Sequence, residues 1–340
     1  MKAFAKTLMP SFALAAVAAA LLVPTGTAAA RARSAAACTA ATNIEAIVDD
    51  SGSMAVTDTS TLRVKGLKLL ISTLPATTTL GAIEFGGNFF AEDPTPAADQ
   101  LFPPEAVGAN AAAMASAMEA KIKADNGGTD YNAAFALSDS EDPGAQARIF
   151  LTDGGHDIGA YNNGHLVHKV PTYVIGFSAG VGTPEDQARL QAIASETGGR
   201  FFPLTDSSEL QSVMNEVGAA ITCQTPPQTF KDALKAGASK SHAVTIGANT
   251  KSLQIALTWA SPLDKFALTG LKLTRHGKAI ATASRHVRRL TVKTTTSETF
   301  SILTVSGLRK GKLSFKVKAT TVGSGSPTVT LVTQVGKRSH

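Results

Sequence analysis

The hydrophobic period of this chain changes once, at Pro226-Pro227, and that change constrains the fold more than any other feature. Before it, apolar runs of strand length (residues 43–48, 80–85, 149–152, 170–177 and 201–202) alternate with stretches of helical period (62–71, 111–122, 184–195 and 207–221). Asp206 stands where the last of these helices would take its cap. Strands alternating with helices over about 180 residues predict an α/β domain with a Rossmann-like, doubly wound, mainly parallel sheet. Beyond the prolines the helical period stops. Leu253, Ile255, Leu257 and Trp259 alternate with polar or small residues, which places Trp259 on the core side, and His276-Gly277 reads as a hairpin turn. Further strands are expected over 287–292, 300–305, 312–318 and 329–335, with one short helix at 230–235. About eight short strands predict an all-β sandwich.

The 340 residues, 44% of them hydrophobic, suffice to bury two cores and exclude wholesale disorder. A charged fraction of 17% and 6% aromatics exclude a coiled coil and an aromatic platform for single-stranded nucleic acid. The net charge of +6 hides a polarity. Residues 39–222 carry 9 Lys+Arg against 23 Asp+Glu, whereas residues 223–340 carry 19 against 3. Opposite fields on the two halves point to two domains with different partners.

Lys2 and Lys6, an apolar run over residues 11–23, and the small residues Ala28-Ala29-Ala30 read as a signal peptide over residues 1–30, so export to the cell surface or exterior is expected. The run is too short to span a bilayer, and the mature chain holds no other candidate span. Lipidation at Cys38 is the alternative for this segment. Cys38 and Cys223, the only two cysteines, bracket the acidic region, and in an exported chain they are expected to form a disulfide. The resulting division is an N-terminal segment over 31–42, an acidic domain over 43–222, a linker over 223–229, and a basic β-domain over 230–340.

The ends of the expected strands in the acidic domain hold hard oxygen donors. Asp49, Ser51 and Ser53 alternate in the first loop, Thr129 follows Gly127-Gly128, and Asp153 ends the strand containing Ile149-Phe150-Leu151. This D-x-S-x-S pattern with a later Thr and Asp resembles the von Willebrand factor type A domain and its metal-ion-dependent adhesion site, over about residues 43–222. The resemblance implies that all five residues ligate a metal and that the metal grips a carboxylate of a protein ligand. The residues agree: two carboxylates and three hydroxyls suit Mg²⁺ or Mn²⁺, with Ca²⁺ as the alternative, and do not suit Zn²⁺. Two protein charges leave the ion electrophilic and partly hydrated. The competing reading is that Ser51 and Ser53 merely cap a helix and Asp49 closes a turn. Asp50 is expected to face solvent or cap the helix, and His156 with Asp157 to form a polar loop tip. His165 and His168, spaced i, i+3, lack a third ligand for a second metal.

No catalytic constellation can be assembled, because the serines lack a G-x-S-x-G context and no nucleophile is placed beside a His with an orienting acid. In the β-domain, Leu313, Phe315 and Val317 point one way while Lys312, Lys316 and Lys318 point the other, and Arg285, Arg288 and Arg289 form a second basic cluster. These residues are a candidate face for an anionic envelope polymer or glycan; export and the lack of a base-reading motif argue against nucleic acid. Leu257-Thr258-Trp259 and Asp264 give a loose resemblance to the jelly-roll modules of secreted bacterial proteins. The expected function is metal-dependent, non-enzymatic binding with the β-domain as a tether. The alternatives are a scaffold in which the acidic and basic domains dock together, and an extracellular hydrolase.

Overall fold

The computed structural model describes residues 39–87, 96–124, 127–162, 169–177, 183–204, 209–223, 228–282 and 288–337. The expected signal segment, Cys38, His165, His168, Asp206 and Arg285 lie outside them, and of Arg288 and Arg289 only the backbone is described.

The acidic domain runs β1 (Asn43–Asp49), α1 (Met54–Thr57), α2 (Leu62–Thr73), β2 (Thr79–Phe85), β3 (Ala98–Ala106), α3 (Val107–Lys121), α4 (Tyr131–Glu141), β4 (Ala147–Thr152), β5 (Thr172–Gly176), α5 (Pro184–Thr197), β6 (Phe201–Pro203) and α6 (Leu210–Ile221). The sheet order is β3-β2-β1-β4-β5-β6, parallel except for β3, which pairs antiparallel with β2. The chain winds outward from β1 in one direction and resumes on its other side with β4. The carboxyl ends of β1 and β4 therefore flank the switch point, where ligands of open α/β sheets collect.

Alternation along the strands sorts the core into two layers. Ile44, Ala46 and Val48 pack under α2, α3 and α6, whereas Ile47, with Phe85 and Phe150, packs under α4 and α5. Two elements differ from expectation. Helix α4 has no forecast counterpart, and β3 is an edge strand containing Pro103 and Pro104, at positions a central strand would not tolerate.

The β-domain comprises β7 (Gln228–Ala233), β8 (Ser239–Ile246), β9 (Thr250–Trp259), β10 (Lys265–Arg275), β11 (Lys278–Thr282), β12 (Arg288–Arg289), β13 (Thr291–Thr296), β14 (Phe300–Ser306), β15 (Gly311–Thr321) and β16 (Thr328–Lys337). Two five-stranded sheets, β12-β11-β10-β15-β8 and β13-β14-β9-β16-β7, enclose one apolar core. The helix expected at 230–235 is instead strand β7, because Phe230 and its neighbours pair along β16, opposite Leu331. The hairpin turn stands where expected, with both His276 and Gly277 at positive φ (49° and 75°) as a primed turn requires.

The domains meet through the second sheet. Leu69 of α2 packs against Ala256 of β9 and Phe300 and Ile302 of β14, and Lys231 pairs with Glu209. This contact explains why β9 is buried on both faces: Trp259 faces the sandwich core as expected, while Ala256 faces the neighbouring domain. The lysine row of β15 lies in the other sheet and takes no part in this contact.

Candidate metal centre

Asp49 ends β1, where the strand's alternation turns its side chain toward the α4 layer, and both the residue and Ser51 are buried. Its Oδ1 accepts from the Ser51 N–H at 2.9 Å and its Oδ2 from the Thr152 hydroxyl at 2.6 Å. Thr152 lies in turn 3.2 Å from the Tyr131 hydroxyl, which also donates to the Gly154 carbonyl, so Asp49 is held rigidly from below. Ser51 Oγ lies 3.1 Å from Ser53 Oγ, and Ser53 donates to Asp153 Oδ1 at 2.9 Å. Four of the five residues expected from the sequence therefore form a continuous cluster across the ends of β1 and β4.

Thr129 is brought in through the backbone. The Gly52 N–H donates to the Gly127 carbonyl at 2.8 Å, laying the second loop against the first, and a Cβ on Gly52 would sit 3.3 Å from that oxygen. Asp157 then clamps Thr129: its Oδ1 accepts the Thr129 N–H at 2.6 Å while its own N–H donates to the Thr129 carbonyl at 3.1 Å. The expected solvated loop tip is thus a structural clamp. His156 is likewise 1% exposed, with Nδ1 accepting from the Tyr131 N–H at 3.1 Å, and does not line the rim.

The largest departure concerns Asp50, which is buried and not solvent-facing. One residue beyond Asp49, it points to the opposite layer and meets Arg63 of α2 at 2.8 Å. Its carboxylate also accepts the N–H groups of Lys123 and Ala124 at 3.0 and 2.7 Å, holding Ala124 at a φ of 60° on the segment that leads toward Thr129. Asp58 completes the arrangement by accepting Arg63 Nη1 at 3.1 Å and the Leu62 N–H at 2.6 Å as the cap of α2. Thr57, whose hydroxyl donates to Asp153 Oδ2, also belongs to the site. Nothing in its sequence context marks it, whereas the strand parity at Asp50 was legible.

Two buried carboxylates in one pocket are electrostatically costly. Burial, followed by the charge of Asp153, holds the Asp49 carboxyl above the usual carboxylate range. A cation removes both penalties at once. Among the described residues no three His, Cys, Asp or Glu side chains converge. The donors available are accordingly two carboxylates and neighbouring hydroxyls, a set that fits a small hard cation.

No protein-family model matches the chain, and no curated protein matches it. Solved structures do. A von Willebrand factor type A protein from Catenulispora acidiphila is similar over 88% of this chain and 66% of its own, at 15% identity and a TM-score of 0.42. Proximal thread matrix protein 1 from the mussel byssus, with a zinc-occupied MIDAS motif, is similar over 59% and 51%, at 18% identity and a TM-score of 0.43. The SpaC pilus adhesin from Lactobacillus rhamnosus GG is similar over 87% and 44%, at 9% identity and a TM-score of 0.43. The chain spans less than two thirds of each.

Proposed function

We propose that this chain, whose first domain has the von Willebrand factor type A fold, is a binding protein that uses a divalent cation to capture a carboxylate-bearing protein ligand. The observation that carries the reading is the hydrogen-bonded cluster of Asp49, Ser51, Ser53 and Asp153 across the switch point of the sheet. Asp49, Ser51, Ser53, Thr129 and Asp153 would hold Mg²⁺ or Mn²⁺, with Ca²⁺ as the alternative. The bound ion would supply an electrophilic site for an Asp or Glu side chain of the partner. Asp157 and Thr57 orient the donors, and Asp50 ties the first loop to the segment before Thr129. Val56, 80% exposed on α1, offers an apolar contact for the ligand on the helix that follows Ser53.

The reading includes export, a Cys38–Cys223 disulfide, and a basic domain that tethers. The Ala41 N–H donates to the Ile221 carbonyl at 3.0 Å, so the chain three residues after Cys38 lies against the turn two residues before Cys223, which supports the bridge. Isothermal titration of the mature protein with Mg²⁺ and Mn²⁺ tests the centre. One saturable site, lost in Asp49→Ala with folding intact, is expected; undiminished binding in that variant would overturn the assignment.

A further inference from the structure

The β-domain presents one of its two outer faces unpartnered. Contacts with the acidic domain run through β9, β14 and β16, all in the second sheet. In a two-layer sandwich the outer face of sheet β12-β11-β10-β15-β8 consequently points away from that domain. The acidic domain therefore does not neutralise it.

The face is built almost entirely of hydrogen-bond donors. Along β15, Lys312, Lys316 and Lys318 are exposed while Leu313, Phe315 and Val317 are buried. On β10, exposed Lys272 stands opposite Ser314, filling the gap between Lys312 and Lys316. Same-face residues of a strand are ~7 Å apart, so these four ammonium groups form a row with that step over ~20 Å. Hydroxyls flank it at Thr245, Thr269 and Thr274. At one end the row opens into a cleft of about 600 Å³ lined by Arg275, His276, Lys310 and Lys312 and by no carboxylate. Strand β12, with the backbone of Arg288 and Arg289, forms the edge of the same sheet.

The acids of this domain leave that field intact. Asp232 is buried against Lys240 and His242, Asp264 is buried with its Oδ1 accepting the Gly323 N–H, and only Glu298 is exposed, in the turn between β13 and β14 of the other sheet.

We propose that this face binds a linear polymer carrying a phosphodiester at each repeat. Ammonium and guanidinium groups only donate, so the ligand must be rich in acceptors and poor in donors. Sugar hydroxyls would find no carboxylate or amide acceptor on the row. The aromatic residues that could stack on bases or pyranose rings are inside: Trp259, Phe266 and Phe315 are all buried. A charged row with a regular step matches a chain of regularly spaced anions. The proposal rests on the tethering part of the function above and is independent of the metal.

The probe is synthetic poly(glycerol phosphate), titrated into the mature protein at several salt concentrations with EDTA present. Saturable binding that survives EDTA and weakens steeply with salt is expected. The quadruple variant Lys272→Gln, Lys312→Gln, Lys316→Gln, Lys318→Gln should bind at least tenfold more weakly, with a shallower salt slope and an unchanged Tm. Lys293→Gln, on β13 of the other sheet, should bind as the parent does. Equal binding by the quadruple variant, or an equal loss in Lys293→Gln, would overturn the proposal. Tighter binding to heparin, duplex DNA or phosphatidylglycerol vesicles than to the probe would overturn the ligand class. Because EDTA is present throughout, failure of the metal centre leaves this result untouched, and loss of polymer binding leaves the metal titration untouched.

Discussion

Asp50 and Arg63 meet at 2.8 Å where neither side chain reaches solvent. The guanidinium lies between Asp50 and Asp58, and Asp50 in turn holds the backbone before the second loop of the metal centre. This buried network fixes the spacing between the loops that carry Asp49 and Thr129.

Removing one partner strands a buried charge. Asp50→Ala is expected to lose about 3–5 kcal/mol of stability in urea unfolding. The double variant Asp50→Ala, Arg63→Met should recover part of that loss, since the uncompensated guanidinium is then gone. A double variant no more stable than the single one would mean that the lost backbone hydrogen bonds, and not the charge, dominate.

Asp157 places Thr129 without itself being a proposed ligand. Asp157→Ala should weaken divalent binding ~10–100-fold, the usual cost of removing a residue that orients a metal ligand. Calorimetric titration beside Asp157→Asn decides the matter, because asparagine keeps one acceptor for the Thr129 N–H and should lose less.

Asp49→Asn separates function from stability. It removes a charge that burial and Asp153 both penalise, so the chelator-treated variant should melt a few degrees above the chelator-treated parent, about 2–4 °C for each kcal/mol gained. The same variant should bind no Mg²⁺. A lower melting temperature in chelator would show that Asp49's bonds to Ser51 and Thr152 outweigh the repulsion.

Glu45, buried in β1, sets a pH dependence away from the site. Burial first, and then the charge of Asp142, push its carboxyl up to about 8 from an ordinary 4.5, against Arg148 and a hydrogen bond from Ser138. Between those values the folded chain keeps a proton that the unfolded chain has released. This contribution is thus complete below pH 4.5 and is lost as pH rises through 8. Glu45→Gln should flatten the decline and be the more stable protein above pH 8. Parallel stability profiles for variant and parent would refute the assignment.

The strand–loop–helix alternation, the break at Pro226-Pro227 and four clustered donors were legible because each is a local pattern. What escaped was set by distance in sequence. Asp50 lies beside Asp49, yet strand parity sends it to the other layer, toward an arginine 13 residues later. Helix α4 buries Tyr131, Ala134, Phe135 and Ser138, a helical spacing that a serine and an alanine concealed. Strand β3 was masked by its two prolines, and β7 by a short helical pattern that pairing with β16 overrides.

Helix α2 carries Arg63 in its first turn and Leu69 about 9 Å farther along its axis. One end is anchored to the loop of Asp49 and Asp50, and the other is seated on β9 and β14. The two domains are therefore mechanically in series. A pull on a ligand gripped at Asp49 and Asp153 has a stiff route through α2 into the sandwich, so tension between a captured partner and an immobilised β-domain would be borne by a helix and two packed cores, not by the linker at Pro226-Pro227 alone.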